Sequence, residues 1–397
     1  MVPASAGEHP GLGIVLEGAV AARAGRVLWV GPASNAGSVP ALDSTVWIDA
    51  RGGVVTPGLI DPHTHAVFAG SRHEEYEARL AGRPYLEILA AGGGILSTVR
   101  ATRAASDREL VELTRARLDR MLALGVTTAE LKSGYGLGVE AELRLLRIAR
   151  EAGAAHPIRV VTTLLGAHAL PDEHRHDRAG YVRLVIDEMI PEAARQGLAD
   201  ACDVYLERAA FSLDEARAIL LAARKAGLGT KLHAGQFNDL GGGELAAELG
   251  ALSADHLEEL GDEGLRAMVA AGVVGVLLPG AALSLRGRFP DARRLLDAGL
   301  RVALATDCNP GTSHTENLPL MATLAVSQMG MTIDEALVGV TASAARALGL
   351  DDAGAIAPGH RADLTVWDVP DFRCLVYHFG VPHAARVIAG GRVVWPS

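Results

Sequence analysis

Two patterns of apolar and polar positions alternate through the middle of the chain. Short apolar runs of strand length are followed by longer segments with apolar residues every three or four positions, as on one face of a helix. The apolar runs are Val54–His65, Val126–Leu131, Ile158–His168, Ala201–Leu206, Gly229–His233, Ala251–His256, Gly272–Leu278 and Leu300–Asp307. Eight such strand–helix units predict an α/β fold, a TIM-like (β/α)8 barrel over residues 56–354.

The longer segments predict the helices of these units. Helical spacing is found in Leu110–Leu124, Ala141–Ala149, Tyr181–Ala194, Ala216–Ala226 and Arg293–Ala298. Ser106, Ser212 and Thr332 are each followed three positions later by a glutamate, the pattern of a capping box at a helix start.

Both ends of the chain carry short strand-like runs without helical periodicity. These runs are Gly13–Leu16, Arg26–Gly31, Thr45–Asp49, Asp363–Trp367 and Ala385–Val394. Neither end has enough strands to bury a face alone, so we expect residues 1–55 and 355–397 to form one small composite β-sandwich domain.

Composition narrows the classes of function. The 397 residues are 49% hydrophobic and 21% charged, which argues against disorder, and a net charge of −10 without a Lys/Arg run argues against a nucleic-acid surface. The three cysteines form no CxxC pair, and no apolar stretch reaches membrane-spanning length. We therefore expect a cytoplasmic protein that acts on a small molecule and has no nucleic-acid or membrane partner. We also expect a homodimer, although the sequence does not fix the oligomeric state.

Ionisable residues close five of the eight predicted strands. They are His63 with His65, His168, His233, Asp255 with His256, and Asp307. A lone His-x-His pair or a single buried histidine is usually structural, but in a parallel barrel all these strand ends meet at one mouth. Side chains two positions apart in an extended chain also point the same way, as His63 and His65 would. The conjunction indicates an active site.

A metal ion fits this set of side chains. Three imidazoles and one carboxylate suit one Zn²⁺ or Fe²⁺/Fe³⁺ per chain, and the residues that supply them are His63, His65, His233 and Asp307. His168 and His256 remain for acid–base work or substrate contacts. The glycine clusters Gly92–Gly94 and Gly241–Gly243 lack the spacing of a phosphate loop and predict loops or turns.

The strand-end residues and their flanking sequences resemble the amidohydrolase superfamily and, within it, the imidazolonepropionases. The matching segments are Asp61–His65, Phe68–Arg72, Lys132–Leu137, Leu165–Ala169, Lys231–Ala234, Ser253–Glu258 and Thr306–Thr312. His-x-His marks only the superfamily, whereas Gly-Ser-Arg, Lys-Ser-Gly-Tyr-Gly and Asp-x-Asn-Pro-Gly-Thr are specific to the family. The resemblance implies a metal-dependent hydrolase barrel that opens 4-imidazolone-5-propanoate to N-formimidoyl-L-glutamate in L-histidine degradation.

The resemblance also implies roles for single residues. It assigns the metal to the four ligands above, substrate contacts to Arg72, Tyr135, His168, Gln236 and Thr312, and contacts to the opened product to Asn309 and Gly311. It implies a single-metal site, which leaves Lys132 outside the ligand shell rather than as a carbamylated bridge. Gly235 departs from the family pattern, which commonly has an acidic residue there, and this puts only local loop contacts in doubt.

Three of these positions have alternative interpretations. Arg72 alone would be a solvated charge, but its planar guanidinium lies just beyond the metal strand and matches a carboxylate. Tyr135 stands among glycines and could serve turn packing. Cys308 adjoins a ligand, but alternation directs it away from the metal, so we expect a structural role.

The expected reaction is hydrolysis of a cyclic amide C–N bond. A bound cation would lower the pKa of water and polarise the carbonyl. We expect His256 to stabilise the developing oxyanion or shuttle protons and Asp307 to accept the water proton, with His168 as a third catalytic candidate. The sequence leaves the division of labour among the three open.

Two other functions compete with this one. An aminohydrolase of the same superfamily, acting on a guanine- or cytosine-like ring, would carry Glu three residues after the strand-five histidine, where this chain has Gln236, which cannot exchange a proton. A non-catalytic metal-dependent scaffold or ligand-binding barrel is the alternative from another class. The intact ligand set and the open polar groups at the same rim oppose it.

Overall fold

An eight-stranded parallel barrel forms the centre of the molecule in the computed structural model, which describes residues 11–83, 87 and 93–396. Its strands, numbered in chain order after three that precede them, are β4 Leu59–Asp61, β5 Val126–Lys132, β6 Arg159–Ala167, β7 Ala201–Leu206, β8 Gly229–Ala234, β9 Ser253–His256, β10 Val274–Leu277 and β11 Val302–Leu304. Neighbours pair in sequence order, which confirms the predicted barrel.

The first and last strands of the barrel, β4 and β11, are joined at the mouth of the barrel rather than along their length. Within the described residues, β4 and β11 share no ladder, and Ile60 N donates instead to Val340 O. A parallel bridge between Thr64 and Cys308 joins the two segments that follow these strands. The seam therefore depends on the residues directly around the predicted metal ligands.

Helices surround the barrel. Their bounds are His73–Leu80, Ile95–Ala104, Asp107–Ala123, Val139–Ala154, Arg178–Leu184, Ile190–Arg195, Leu213–Lys225, Gly242–Leu249, Asp262–Ala271, Pro279–Leu285, Ala292–Asp297, Leu318–Gln328, Ile333–Gly339, Ala342–Ala347 and Cys374–Tyr377, with short 3-10 turns at Ala33–Ser38 and Asp172–His174. Of the helices in this described part, none combines the length and apolarity that crossing a bilayer requires.

Sequence signals at helix ends are mostly found in the structure. Ser212 and Thr332 form complete capping boxes, whereas Ser106 only accepts a hydrogen bond from Glu109 N. The predicted helix Tyr181–Ala194 is interrupted by a π turn at Val185–Met189. Pro191 explains the interruption, because proline supplies no N–H for an ordinary helical bond and its ring crowds the preceding turn.

Strands from both chain ends pack together. Gly18–Arg23 (β1) and Arg26–Pro32 (β2) form a hairpin, and a four-stranded antiparallel sheet contains Val54–Pro57 (β3), Leu364–Trp367 (β12), Ala384–Ala389 (β13) and Arg392–Trp395 (β14). Val27 from the first segment shares a small core with Val366 and Ile388 from the second. The boundaries at residues 55/56 and 354/355 stay a prediction, and residues 1–10 and 397 lie outside the described residues.

Two terminal strand predictions were wrong. Gly13–Leu16 and Thr45–Asp49 are not strands, and Val46 and Trp47 are exposed with no strand beside them to pair with in the described residues. Conversely, the alanine-rich β1 is a strand because β2 pairs with it along its length, which outweighs the low strand propensity of alanine.

The first predicted barrel strand, Val54–His65, divides at Gly58. Its first half, β3, belongs to the terminal sheet, and only its second half, β4, enters the barrel. A Cβ atom at Gly58 would lie 2.1 Å from Thr127 Oγ1, so the close approach between the chain crossing and β5 requires glycine.

Candidate active site

Three histidine nitrogens converge at the mouth of the barrel. His63 Nε2 and His233 Nε2 lie 3.3 and 3.4 Å from His65 Nε2. Asp307 Oδ1 lies 3.6 Å from His63 Nε2 and 3.5 Å from His65 Nε2. All four side chains are buried. The four ligands inferred from the sequence are thus brought together by segments that are far apart in the chain.

These spacings fit a single divalent ion. Four-coordinate zinc holds each nitrogen at about 2.0–2.1 Å, and tetrahedral angles then separate two nitrogens by about 3.3–3.4 Å. Burial lowers the pKa of His63 and His65 well below the usual value. Both rings are therefore neutral and offer lone pairs, as metal ligation requires.

The second nitrogen of two of these rings faces a buried carboxylate. His63 Nδ1 lies 2.5 Å from Asp255 Oδ2, and His233 Nδ1 lies 2.9 Å from Asp203 Oδ2. Such carboxylates fix the tautomer and orientation of a ligand histidine. Both pairs leave Nε2 directed at the shared centre. Asp255 was predicted only as a residue at a strand end, and Asp203 was not predicted as part of the site.

A layer of buried charges lies beneath the ligands. Lys132 Nζ lies 2.7 Å from Asp203 Oδ2 and 2.9 Å from Glu130 Oε2. Lys231 Nζ lies 2.9 Å from Glu130 Oε1 and donates to Pro62 O. Burial lowers the pKa of Lys132, but the carboxylates of Asp203 and Glu130 outweigh it and raise the pKa overall. Lys132 is thus an ammonium group and supplies no ligand, so a carbamylated bridge at this position has no support.

The charges of this layer complement a dication. Its carboxylates are Glu130, Asp203 and Asp255, and its ammonium groups are Lys132 and Lys231. Burial raises the pKa of Asp203, but His233 and Lys132 outweigh it and hold the pKa well below the usual value, whereas burial raises the pKa of Asp255. Together with Asp307, the carboxylates outnumber the ammonium groups, and a divalent ion would offset this excess of negative charge.

His168 and Tyr135 stand beside the ligands. The His168 ring is stacked on His65 with centroids 5.0 Å apart, and Tyr135 lies 5.5 Å from His168. His168 Nδ1 is 3.0 Å from Gly134 O, so it carries the proton and leaves the Nε2 lone pair free. Burial lowers the pKa of His168 to about 3. His168 is therefore a neutral acceptor rather than a proton donor.

His256 has the opposite character. Its Nδ1 lies 3.7 Å from Glu258 Oε1. Burial lowers the pKa of His256, but the negative charges of Glu258 and Asp307 outweigh it and raise the pKa overall. Burial also raises the pKa of Asp307 to about 6. His256 and Asp307 both have positive φ, 85° and 51°, which is strained backbone of the kind found at active sites.

Arg72, which is predicted to bind a carboxylate, is oriented by contacts within the protein. Arg72 Nε and Nη2 each lie 2.9 Å from Glu75 Oε2. A Cβ atom at Gly311 would lie 2.2 Å from Arg72 Nη1, so the guanidinium rests on bare backbone there. Asn309 Oδ1 accepts from Gly311 N and Thr312 N, both at 2.8 Å. Arg72, Asn309, Gly311 and Thr312 thus form one group, in which Asn309 organises its own loop.

Gln236 is oriented by Tyr205, which was not predicted from the sequence as part of the site. Tyr205 OH donates to Gln236 Oε1 at 2.7 Å. The buried Glu207 accepts from Phe237 N and Asn238 N and holds the same loop. Gly235 has a φ of 69°, a left-handed conformation that favours glycine.

The glycine cluster Gly241–Gly243 was predicted to be a loop or turn, but only Gly241 precedes the helix, and Gly242 and Gly243 are its first two residues. Gly241 has a φ of 80°, and a Cβ atom at Gly242 would lie 2.5 Å from that of Ala234 in β8. The cluster therefore lets helix Gly242–Leu249 pack closely on the strand that carries His233. In the other cluster, Gly92 lies outside the described residues.

Comparisons with known proteins agree with this arrangement. The family model described as "Amidohydrolase family" matches residues 54–394. An imidazolonepropionase of Geobacillus kaustophilus is 51% identical over 386 residues, covering 96% of this chain and 91% of that protein. Other imidazolonepropionases, from Geobacillus, Myxococcus xanthus and Rhizorhabdus wittichii, are 50–53% identical.

Solved structures show the fold in more distant proteins. A 5-methylcytosine deaminase from Klebsiella pneumoniae superposes with a TM-score of 0.73 over 94% of both chains at 17% identity. An atrazine chlorohydrolase from Arthrobacter aurescens, complexed with zinc, superposes with a TM-score of 0.67 over 94% of this chain and 89% of its own at 18% identity.

Proposed function

The chain belongs to the amidohydrolase family and, within it, to the imidazolonepropionases, and from this premise we propose how its residues hydrolyse 4-imidazolone-5-propanoate. The reaction is a step of histidine degradation: water adds across the cyclic amide C–N bond and gives N-formimidoyl-L-glutamate. The observation that carries the substrate assignment is about half identity to imidazolonepropionases along nearly the whole of both chains.

We propose that His63, His65, His233 and Asp307 hold one zinc or iron ion per chain. The convergent Nε2 atoms, the carboxylates beside two of these rings and the excess of carboxylates over ammonium groups beneath them support a dication there. When bound, such an ion lowers the pKa of water and polarises a carbonyl. We also propose that the protein is a cytoplasmic homodimer, as expected from its sequence.

Three side chains have different roles in the reaction. Asp307, whose pKa of about 6 lets it be ionised at neutral pH, accepts the proton of the attacking water. His256 keeps its proton beside Glu258 and stabilises the oxyanion that develops on the carbonyl. The proton then passes to the ring nitrogen as the C–N bond breaks, so the nitrogen leaves as part of the formimidoyl group. His168, neutral and fixed at Nδ1, accepts a hydrogen bond from the substrate.

The propionate is held at the other end of the site. Arg72 offers Nη1 and the remaining face of Nη2, because Glu75 already occupies Nε and one side of Nη2. This arrangement fixes the plane of the guanidinium before the substrate arrives, which lowers the entropy cost of binding. Gln236 presents its amide nitrogen, since Tyr205 binds its oxygen.

A labelling experiment tests the reaction directly. Purified protein supplied with imidazolonepropionate in H₂¹⁸O should give a product that gains one water and carries one ¹⁸O in the new α-carboxylate. Cytosine and guanine, tested in parallel, should release no ammonia, because Gln236 cannot carry the proton. Ammonia release from either base, with imidazolonepropionate left intact, would replace the proposed function by that of an aminohydrolase.

A further inference from the structure

One buried carboxylate near the site has no part in the mechanism above. Glu142 lies in the first turn of helix Val139–Ala154 and has no exposed surface. Its Oε2 accepts from Gly134 N at 2.8 Å, and its Oε1 accepts from Gly136 N at 2.7 Å and from Leu137 N at 2.6 Å. Among the described residues it forms no ion pair, so backbone N–H groups of a single loop stabilise its charge.

The same loop carries Tyr135 and binds His168, two of the proposed substrate contacts. Tyr135 lies between the bonded residues, and Gly134 O accepts the Nδ1 proton of His168 at 3.0 Å. The loop is packed too closely for a side chain at either glycine. A Cβ atom at Gly134 would lie 2.8 Å from His168 Nδ1, and one at Gly136 would lie 2.6 Å from Glu142 N. Both glycines are therefore required for the loop to lie between the histidine and the helix.

We propose that Glu142 is a positioning residue for the reaction, because it holds the loop Gly134–Leu137 and, through that loop, sets Tyr135 and the tautomer of His168. The proposal rests on the proposed function for its substrate but on the geometry of the loop for its mechanism. Arg103 acts on the same loop from the solvent side, since its Nε donates to Gly136 O at 2.6 Å and its Nη2 to Leu137 O at 3.2 Å.

The substitution Glu142→Gln perturbs one of the three bonds selectively. The amide oxygen can keep the two N–H groups of Gly136 and Leu137, but the amide NH₂ then faces the N–H of Gly134. Two donors repel, so Gly134 has to move, and its carbonyl moves with it. Because that carbonyl fixes His168, the effect should reach the site through His168 rather than through general loosening of the barrel.

We expect Glu142→Gln to raise KM for imidazolonepropionate about tenfold with a smaller fall in kcat, since binding groups are misplaced while the metal ligands are untouched. Bound metal per chain should not change. The matched control is Glu140→Gln, the same change in the same helical turn, because the Glu140 carboxylate is exposed and pairs only with Arg147 among the described residues. The control should have the KM and kcat of the parent protein.

A double-mutant cycle separates positioning from stability. In a His168→Ala background, Glu142→Gln should change kcat/KM less than about threefold, because the Gly134 carbonyl no longer has a His168 ring to fix and only the contribution of Tyr135 remains. Equal effects in both backgrounds, or a lowered melting temperature with unchanged KM, would overturn the proposal. If Glu142→Gln does not fold, Arg103→Met tests the same loop from a partly exposed position and should raise KM in the same direction. An unchanged KM in that variant would also count against it.

Hydrogen exchange gives a test that needs no substrate. In the metal-loaded protein, the amides of Gly134, Gly136 and Leu137 should exchange faster in Glu142→Gln than in Glu140→Gln. Unchanged exchange would refute the role of Glu142 whatever the substrate is. A parent protein that does not hydrolyse imidazolonepropionate would instead refute the proposed function and leave the exchange result to decide the loop.

Discussion

At the scale of single residues, two of the three proposed ligand histidines are oriented through their second ring nitrogen. Asp255 Oδ2 lies 2.5 Å from His63 Nδ1 and Asp203 Oδ2 lies 2.9 Å from His233 Nδ1, so both carboxylates favour the orientation that directs Nε2 at the shared centre. Asp203 does more than this, because its Oδ1 also accepts from His233 N and its Oδ2 binds Lys132. A change at Asp203 should therefore disturb the ligand and the charge layer together.

The Asp203 carboxylate should strengthen metal binding at the site. Asp203→Asn should weaken metal binding about 10–100-fold, because the amide can still accept from His233 but no longer neutralises Lys132. Competition with a chelator of known affinity measures the change. Asp200→Asn is the matched control, since Asp200 is partly exposed just before the same strand and binds Arg150. An affinity equal to that of the parent protein would show that Asp203 does not tune the site.

Arg72 is the residue on which carboxylate recognition depends. Arg72→Ala should cost on the order of 2–4 kcal/mol in kcat/KM, since a charge-assisted pair in a partly buried site is lost. Arg72→Lys should recover part of this, because it keeps the charge but loses the planar fork that rests on Gly311.

Two controls accompany the Arg72 variants: a substitution of Arg79, in the helix that follows Arg72, and a measurement of bound metal. Arg79→Ala removes a neighbouring cation that lies 3.5 Å from Gly311 O and should cost much less. Metal content should be the same in all three variants. Unaltered kcat/KM in Arg72→Ala would mean that the carboxylate is held elsewhere.

At the scale of elements, helix ends show how local signals become tertiary contacts. Glu215 accepts from Ser212 N at 2.8 Å to complete a capping box and from Arg178 Nε at 2.6 Å to join a second helix. Arg178 Nη2 also binds Glu215 and Ala210 O. A single carboxylate thus caps one helix and anchors the start of another.

The Glu215 carboxylate should make the free energy of unfolding depend on pH. The Arg178 hydrogen bond, followed by the Ser212 contacts, lowers the pKa of Glu215 in the folded state. A lowered folded pKa stabilises the protein above the unfolded pKa, about 4.3, and the contribution is lost as the pH falls through the folded pKa. Glu215→Gln should therefore lower the free energy of unfolding by about 1 kcal/mol at neutral pH and by less in acid.

Urea unfolding at neutral and acidic pH measures this difference. Asp214→Asn, in the same turn, serves as the control because the Asp214 side chain is almost fully exposed and should contribute little. A difference between Glu215→Gln and the parent protein that did not change with pH would show that the charge of Glu215 has no role.

Prediction from the sequence found the elements that follow a repeated apolar pattern and missed the features that depend on tertiary contacts. All eight barrel strands follow from apolar runs, and the histidines and the aspartate that the structure brings together at the mouth stand at the ends of these runs. The terminal strand β1 did not, because pairing with β2 rather than composition makes it a strand. Glu130, Asp203 and Lys231 were missed because they lie inside apolar runs. A charge inside a buried strand is nevertheless a signal, since it needs a partner.

At the scale of the whole molecule, the proposed metal ligands lie at the seam between the first and last strands of the barrel. Asp307 N donates to His63 O and His65 N donates to Cys308 O, both at 3.0 Å, and these bonds join the segments after β4 and β11. The side chains of His63, His65 and Asp307 converge directly above them. An ion held by these residues would therefore fasten the first strand of the barrel to the last, in addition to its chemical role.

Removing the metal should thus loosen the seam selectively. Elemental analysis should give about one zinc or iron per chain, since the four ligands form one site. After chelation the melting temperature should fall, because a ligand present at about 1,000 times its Kd stabilises the folded state by about 4 kcal/mol. Hydrogen exchange should rise in residues 59–66 and 302–309 and change little in the β6–β7 pair, which has its own ladder. Uniform exchange across both regions, or two ions per chain, would show that the seam does not depend on a single bound ion.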